Sequence, residues 1–218
     1  MQKKLLEFLK LIAFRYLRIG KPNYPYLLDP SQLAQLIVEF ERLKSQAGSI
    51  VEIGVARGMT TRFLAEHIMV EKLENKESIY ALDIFSNFQK EDVNFEIENR
   101  GKHSSDLNAY GYNDFNIWKK NFLDFPFVKA IQADCSTFDF NTIGPIKMSF
   151  LDVNLYLPTK NALPKIYEAT ISGGVILVDD VIDEGWMDGS YQAYMEFCSD
   201  LGVEPIIIGK RCGAIYKP

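Results

Sequence analysis

Apolar positions recur with two different periods along this chain. Near the N-terminus Leu5, Leu6, Leu9, Ile12 and Ala13 keep helical spacing and describe an amphipathic helix. Residues 20–31 (GKPNYPYLLDPS) are rich in turn formers and end it. Ser31 is placed to cap a second amphipathic helix running through QLAQLIVEFERLKSQA towards Gly48. From residue 49 the pattern changes to a rhythm of short apolar runs and amphipathic stretches. The runs at 49–55 (SIVEIGV), 78–84, 127–134, 146–153 and 174–181 read as buried strands. The stretches at 59–70, 159–170 and 191–202 read as helices, the second despite Pro164. Two closing strands, 204–209 and 212–218, are separated only by Lys210 and Arg211.

Strands alternating with helices imply parallel βαβ units with right-handed crossovers. The closing pair has too short a connection for a crossover and must be an antiparallel hairpin. The expected fold is therefore α/β and Rossmann-like, a mostly parallel seven-stranded sheet with a C-terminal antiparallel hairpin. Residues 1–47 form a helical segment expected to pack on the core or on a partner subunit, and 48–218 form the main domain.

At 218 residues the chain is long enough for one domain with a full core. Its net charge of -5 supplies no global basic field for nucleic acid. The N-terminal apolar stretch is interrupted by Glu7, Lys10, Arg15 and Arg18, so it fits neither a signal peptide nor a spanning helix; a basic helix lying on a membrane surface is a secondary reading. Cys135, Cys198 and Cys212 match no zinc spacing and read as free thiols in a reducing compartment, which points to the cytoplasm. Only His67 and His103 are available, so a His-rich metal site is not expected.

Chemistry concentrates at strand ends. VEIGVARGMTT (51–61) joins the first strand of the sheet to a helix. Gly54 allows a sharp turn, and Gly58 opens the helix, whose N-terminal N–H groups face a ligand. The pattern is E-x-G-x-x-x-G, without the third glycine of a pyrophosphate-binding loop. Glu52 is a candidate for an ammonium group, directly or through water, with Arg57, Thr60 and Thr61 near a carboxylate. Asp83 ends the second strand and suits ribose hydroxyls. Asp134 and Cys135 come after the third strand, where a carboxylate and a backbone N–H suit an adenine edge.

The set EIGVARG, ALD, QAD, SFLDVNLYLPTKNAL and GGVILVDDV resembles class I S-adenosylmethionine-dependent methyltransferases, and most closely the macrocin O-methyltransferase family, over roughly residues 30–218. Members of that family methylate sugar hydroxyls on antibiotic glycosides. The resemblance implies S-adenosylmethionine as cofactor and a sugar or glycoside hydroxyl as acceptor. Asp152 ends the fourth strand, and Asp179 and Asp180 end the fifth. Three carboxylates converging there repel unless a cation joins them, and oxygen-only ligands suit Mg²⁺ or Ca²⁺. The resemblance implies the same arrangement, with magnesium. Consecutive strand residues face opposite ways, so both Asp179 and Asp180 reach one ion only if the chain bends there. Asp152 is the expected ligand and possible base. Catechol-type relatives carry a lysine base three residues after the fourth-strand Asp; here that position is Leu155, and a simple catechol substrate is disfavoured.

Residues 86–125 make a connection of about 40 residues, longer than a crossover needs and a natural lid. Within it FNIWKKNFLDF has helical spacing, NRGKHSSDLNAYGYND reads as mobile, and His103 is a second candidate base. Trp186 sits in a further loop at the cleft mouth. Three other readings stay open: a metal-independent methyltransferase, a non-catalytic binding protein of the same fold, and a nicotinamide oxidoreductase. The last is disfavoured by the missing glycine and the terminal hairpin. The two N-terminal helices make a homodimer possible.

Overall fold

The computed structural model describes residues 2–17, 24–183 and 187–218. Trp186 lies outside them. Helix α1 spans Gln2–Arg15 and α2 spans Pro30–Leu43. The strands are β1 (Ser49–Ile53), β2 (Ile79–Asp83), β3 (Val128–Gln132), β4 (Ile146–Leu151), β5 (Thr170–Val178), β6 (Ile206–Ile208) and β7 (Cys212–Tyr216). The remaining helices are α3 (Met59–Val70), α4 (Lys90–Arg100), α5 (Phe115–Asn121), α6 (Tyr156–Ala169) and α7 (Gly189–Leu201). The sheet order is β3-β2-β1-β4-β5-β7-β6. β7 runs antiparallel to β5 and to β6, and the other pairings are parallel. This is the expected mixed sheet.

Both faces of the sheet are covered. Ile50, Met148, Phe150, Val175 and Leu177 pack under Leu36, Phe40, Leu64 and Ile68 of α2 and α3. Val51, Ile53, Leu151, Ile176 and Val178, one residue out of phase, pack under Ala162, Leu163, Ile166 and Tyr194 of α6 and α7. Burial on both sides is why β4 and most of β5 read as near-continuous apolar runs rather than as alternation. Within 1–47, α2 contributes Leu33, Leu36, Phe40 and Leu43 to the shared core.

Two details differ from expectation for physical reasons. The cap of α2 is Asp29, not Ser31. Pro30 fits the first helical position, where a missing N–H costs nothing, and the Asp29 N–H donates to Gln32 Oε1 at 2.9 Å. The 86–125 connection contains a helix that apolar spacing does not predict, α4, which ends where the polar stretch 99–114 begins. That helix has almost no apolar face; it is held by charge and by Phe95, stacked on Tyr156 at 5.3 Å. Glu96 is buried, pairs with Arg100 at 2.9 Å and accepts the Tyr156 N–H at 2.8 Å. Arg100 and Lys102 both reach Asp188, the residue capping α7, at 2.7 Å.

A candidate active site at the strand ends

Ladder hydrogen bonds continue one residue past the strands. The N–H groups of Gly54, Asp152 and Asp179 donate to Leu82, Ile53 and Leu151, at 2.9, 2.8 and 2.9 Å. The carboxyl ends of β1, β2, β4 and β5 are therefore level, and the loops leaving these strands open on the same edge. Backbone strain collects there. Ala56, Phe85, Asn154 and Asp180 all have positive φ without being glycine, and each lies just beyond one of these four strands. Such strain persists only where the surroundings over-determine it, and it is typical of functional sites.

Gly54 is required by its neighbours as well as by its φ of +82: a Cβ would lie 1.9 Å from the Asp152 carbonyl oxygen. Gly58, with φ +83, caps α3 and lies against Phe122 and Trp118, where a Cβ would meet the Phe122 ring at 2.6 Å. Those two rings stack at 3.9 Å, so α5 seals the glycine loop from outside.

A first cavity lies over β1, β2 and β3. Gly54, Asp83, Asp134 and Cys135 line it, together with Ser86, Gln89 and Asp92 of the 86–125 connection. Its apolar walls include Ile53, Leu82 and Pro158, so it offers slots for flat rings between acidic corners. Asp83 has a second duty. Its Oδ2 accepts the Val55 and Ala56 N–H groups at 2.9 and 3.1 Å, and its Oδ1 accepts the Phe85 N–H at 2.6 Å. Burial raises its pKa and those three donors oppose the rise. Asp134 accepts the Ser136 N–H at 2.8 Å. Cys135 is buried, and desolvation pushes its thiol to about 12, so its backbone rather than its sulfur is the useful group. Asp92 was not foreseen; burial and then Asp134 push it up to about 6. Only its place on a polar helix, invisible to apolar periodicity, could have signalled it.

Glu52 does not line this cavity. The alternation along β1 turns it to the α3 face, where it is 2% exposed and accepts the Thr61 hydroxyl at 2.5 Å. Desolvation pushes its pKa to about 8, so at neutral pH it is mostly a neutral acid and a poor partner for an ammonium. Thr60 and Thr61 are buried with it, and Arg57 is exposed. The native state thus holds a proton that an unfolded chain releases near 4.5. Between pH 4.5 and 8 the native state binds more protons, so stability falls as pH rises through that window. Glu52→Gln is expected to flatten the decline in melting temperature between those limits. An unchanged slope in the variant would assign the decline to other groups.

A second, wider cavity lies over β4 and β5 and is lined by Asp152, Asp179, Asp180, Asn154, Tyr110 and Arg211 among others. Carboxylate oxygens of Asp152, Asp179 and Asp180 all lie within 4.8 Å of one another. The bend this requires is present: β5 stops at Val178, and Asp180 has φ +59, which turns consecutive carboxylates to one side. Asp179 and Asp180 are buried. Burial and the neighbouring Asp179 carboxylate hold the Asp152 pKa well above the usual range. Asp179 is also raised by burial, with Arg211 and Gln32 opposing. Gln32 Nε2 donates to Asp179 Oδ1 at 2.6 Å, Arg211 Nε donates to the same oxygen at 3.1 Å, and Arg211 also pairs with Asp180. Asn154 Nδ2 reaches Asp180 at 2.8 Å and Asp152 at 3.3 Å. The Tyr110 hydroxyl donates to Asn154 Oδ1 at 3.2 Å. Tyr110 and Asn154 line both cavities and form their common wall.

His103 is not brought to either cavity; it is exposed on the loop after α4. His67 sits edge-on to Phe40 and reaches Glu41 at 3.0 Å, away from both cavities.

Comparison with known proteins gives the kinship of the chain. The model of the macrocin-O-methyltransferase (TylF) family matches residues 31–209. No curated protein matches the sequence significantly. Among solved structures, the O-methyltransferase NovP aligns with TM-score 0.68 and 16% identity, covering 89% of this chain and 83% of its own. The calicheamicin methyltransferase CalS11 aligns with TM-score 0.68 and 16% identity, covering 98% and 91%. SMU.1697c from Streptococcus mutans, in complex with SAH, aligns with TM-score 0.51 and 15% identity, covering 87% and 97%. At these identities the structural likeness shows the fold, and the family match over most of the chain shows the kinship. The chain belongs to the macrocin-O-methyltransferase (TylF) family and is an S-adenosylmethionine-dependent O-methyltransferase.

Proposed function

We propose that this enzyme methylates a hydroxyl of a sugar or glycosylated small molecule, with a divalent cation held by Asp152, Asp179 and Asp180. One observation carries the reading: three carboxylates converge beside the cavity over β1, β2 and β3, with Tyr110 and Asn154 lining both. The donor set fits the ion. It is all oxygen, largely buried and bent into convergence by Asp180, and the single guanidinium of Arg211 cannot balance three carboxylates. A divalent cation there supplies Lewis acidity that lowers the pKa of an acceptor hydroxyl.

The chain's own residues do the rest. Asp83, Asp134 and the Cys135 backbone hold the adenosyl part in the first cavity. Glu52 contributes behind the loop rather than on the cofactor, as a neutral acid bracing α3 through Thr61. Asp152 takes the acceptor proton, since His103 lies elsewhere and Leu155 is no base. Sugar-linked acceptors are supported by the family description, and CalS11 is itself described as a TDP-rhamnose 3'-O-methyltransferase.

A metal-independent reading has one observation in its favour: Arg211 already places positive charge on Asp179 and Asp180. Chelation separates the two. With a sugar acceptor, exhaustive EDTA treatment is expected to abolish methyl transfer and Mg²⁺ to restore it, while S-adenosylhomocysteine still binds in calorimetry. Asp134→Ala is expected to weaken that binding about tenfold, the worth of a hydrogen bond to a charged group. Methyl transfer that survives chelation would leave Arg211 as the site's cation.

A further inference from the structure

We propose that α1 is a surface anchor that seats the enzyme on an anionic lipid bilayer. The helix is exposed along nearly its whole length: Leu5 is 59%, Phe8 59% and Leu9 52% exposed, although a chain with a full core elsewhere has no need to display them. At about 100° per residue, Phe8, Ile12, Leu5, Tyr16, Leu9, Ala13, Leu6 and Leu17 cover an arc of roughly 180°. That is wider than the stripe a helix needs to bury against a protein partner. Lys3 and Lys10 border one edge of the arc and Lys4 and Arg15 border the other; the face between them carries Glu7 together with Leu11 and Phe14, 41% and 66% exposed. Long basic side chains flanking an apolar face on both edges match a surface that is oily below and anionic around.

Charge points the same way. Residues 1–21 contain six Lys and Arg against one acid, Glu7, and so carry +5; the chain total is -5, which leaves -10 on the remainder. The segment opposes the sign of the rest of the molecule, which on its own would be repelled by an anionic surface. No helix among the described residues is long and apolar enough to cross a membrane, so the seat is peripheral. The consequence is an active site held near membrane-borne acceptors.

The test is co-sedimentation of the full-length protein with phosphatidylcholine vesicles and with phosphatidylcholine–phosphatidylglycerol vesicles. Wild type is expected to pellet with the second and stay in solution with the first. Replacing Lys3, Lys4, Lys10 and Arg15 together by Gln is expected to lower partitioning to anionic vesicles at least about 100-fold. Leu9→Glu should also release it. These side chains lie outside the core, so S-adenosylhomocysteine binding and the melting temperature should not move. Wild type that ignores anionic vesicles, or pellets equally with both kinds, overturns the proposal. So does a dimer in equilibrium sedimentation that Leu9→Glu dissociates without any vesicle binding, since a second copy would then cover the helix.

Discussion

Asp152→Asn is expected to be inactive and yet more stable than the wild type. Its carboxylate lies among those of Asp179 and Asp180, and burial makes that proximity unfavourable. An amide of the same shape removes the repulsion, so in cation-free buffer the melting temperature should rise. The same change removes a ligand and the proton acceptor of the proposed chemistry. Turnover should fall by about 10³-fold, the scale of losing general-base and metal assistance together. S-adenosylhomocysteine affinity should hardly change, because Asp152 lines the second cavity and not the first. Steady-state kinetics, calorimetry and a thermal melt make three independent readings. A variant with near-normal turnover would remove Asp152 from the reaction, and one that melts lower would show that it serves the fold.

Gly54→Ala should be the most damaging small substitution in the chain. The new Cβ would overlap the Asp152 carbonyl oxygen at 1.9 Å and crowd its carbon at 2.7 Å, and both are backbone atoms of an adjacent buried strand end. The positive φ adds its own penalty. Left-handed strain and overpacking together cost about 3–5 kcal/mol, a large part of what holds an ordinary domain folded. Gly101→Ala is the matched control: φ is +68, but nothing lies within 4 Å of the added atom. It should lose only the conformational part, about 1 kcal/mol. Urea denaturation of the two variants decides the matter; equal losses would mean that the β1–β4 approach yields without cost.

Strands β1, β4 and most of β5 are legible in sequence because they are buried on both faces. VEI, SFL and VILV leave no polar alternation to confuse them with helix surface, and the short GKR connection settles the direction of the last pair. Helix α4 is not legible by that route. Its single buried side chain is Glu96, and it is held to the body by the Arg100–Asp188 ion pair and by Phe95 stacked on Tyr156. Apolar periodicity cannot see an element docked by charge. The cap of α2 fails for a milder reason: Asp-Pro-Ser offers two cap residues in three, and the proline decides between them.

For the site, identity and placement separate. Asp83, Asp134, Cys135, Asp152, Asp179 and Asp180 are all carried to the cavities by level strand ends, which strand order alone predicts. Glu52 sits on the same edge but one residue out of phase, and period-two alternation sends it behind the sheet. The bend that brings Asp180 round is a single residue with φ +59, and no residue type announces it. Asn154 joins the two carboxylate strand ends to Tyr110 of the 86–125 connection, and no motif singles it out.

That junction has a thermodynamic consequence. Tyr110 and Asn154 face one chamber with their apolar and amide edges and hold Asp152 and Asp180 of the other through hydrogen bonds. If an occupant of one chamber shifts that wall, linkage requires the influence to be mutual: whatever factor it adds to affinity in the other chamber is returned unchanged in the reverse direction. Donor and acceptor would then bind as a correlated pair, and loss of the Tyr110 hydroxyl, which reaches Asn154 Oδ1 at 3.2 Å, would loosen that correlation.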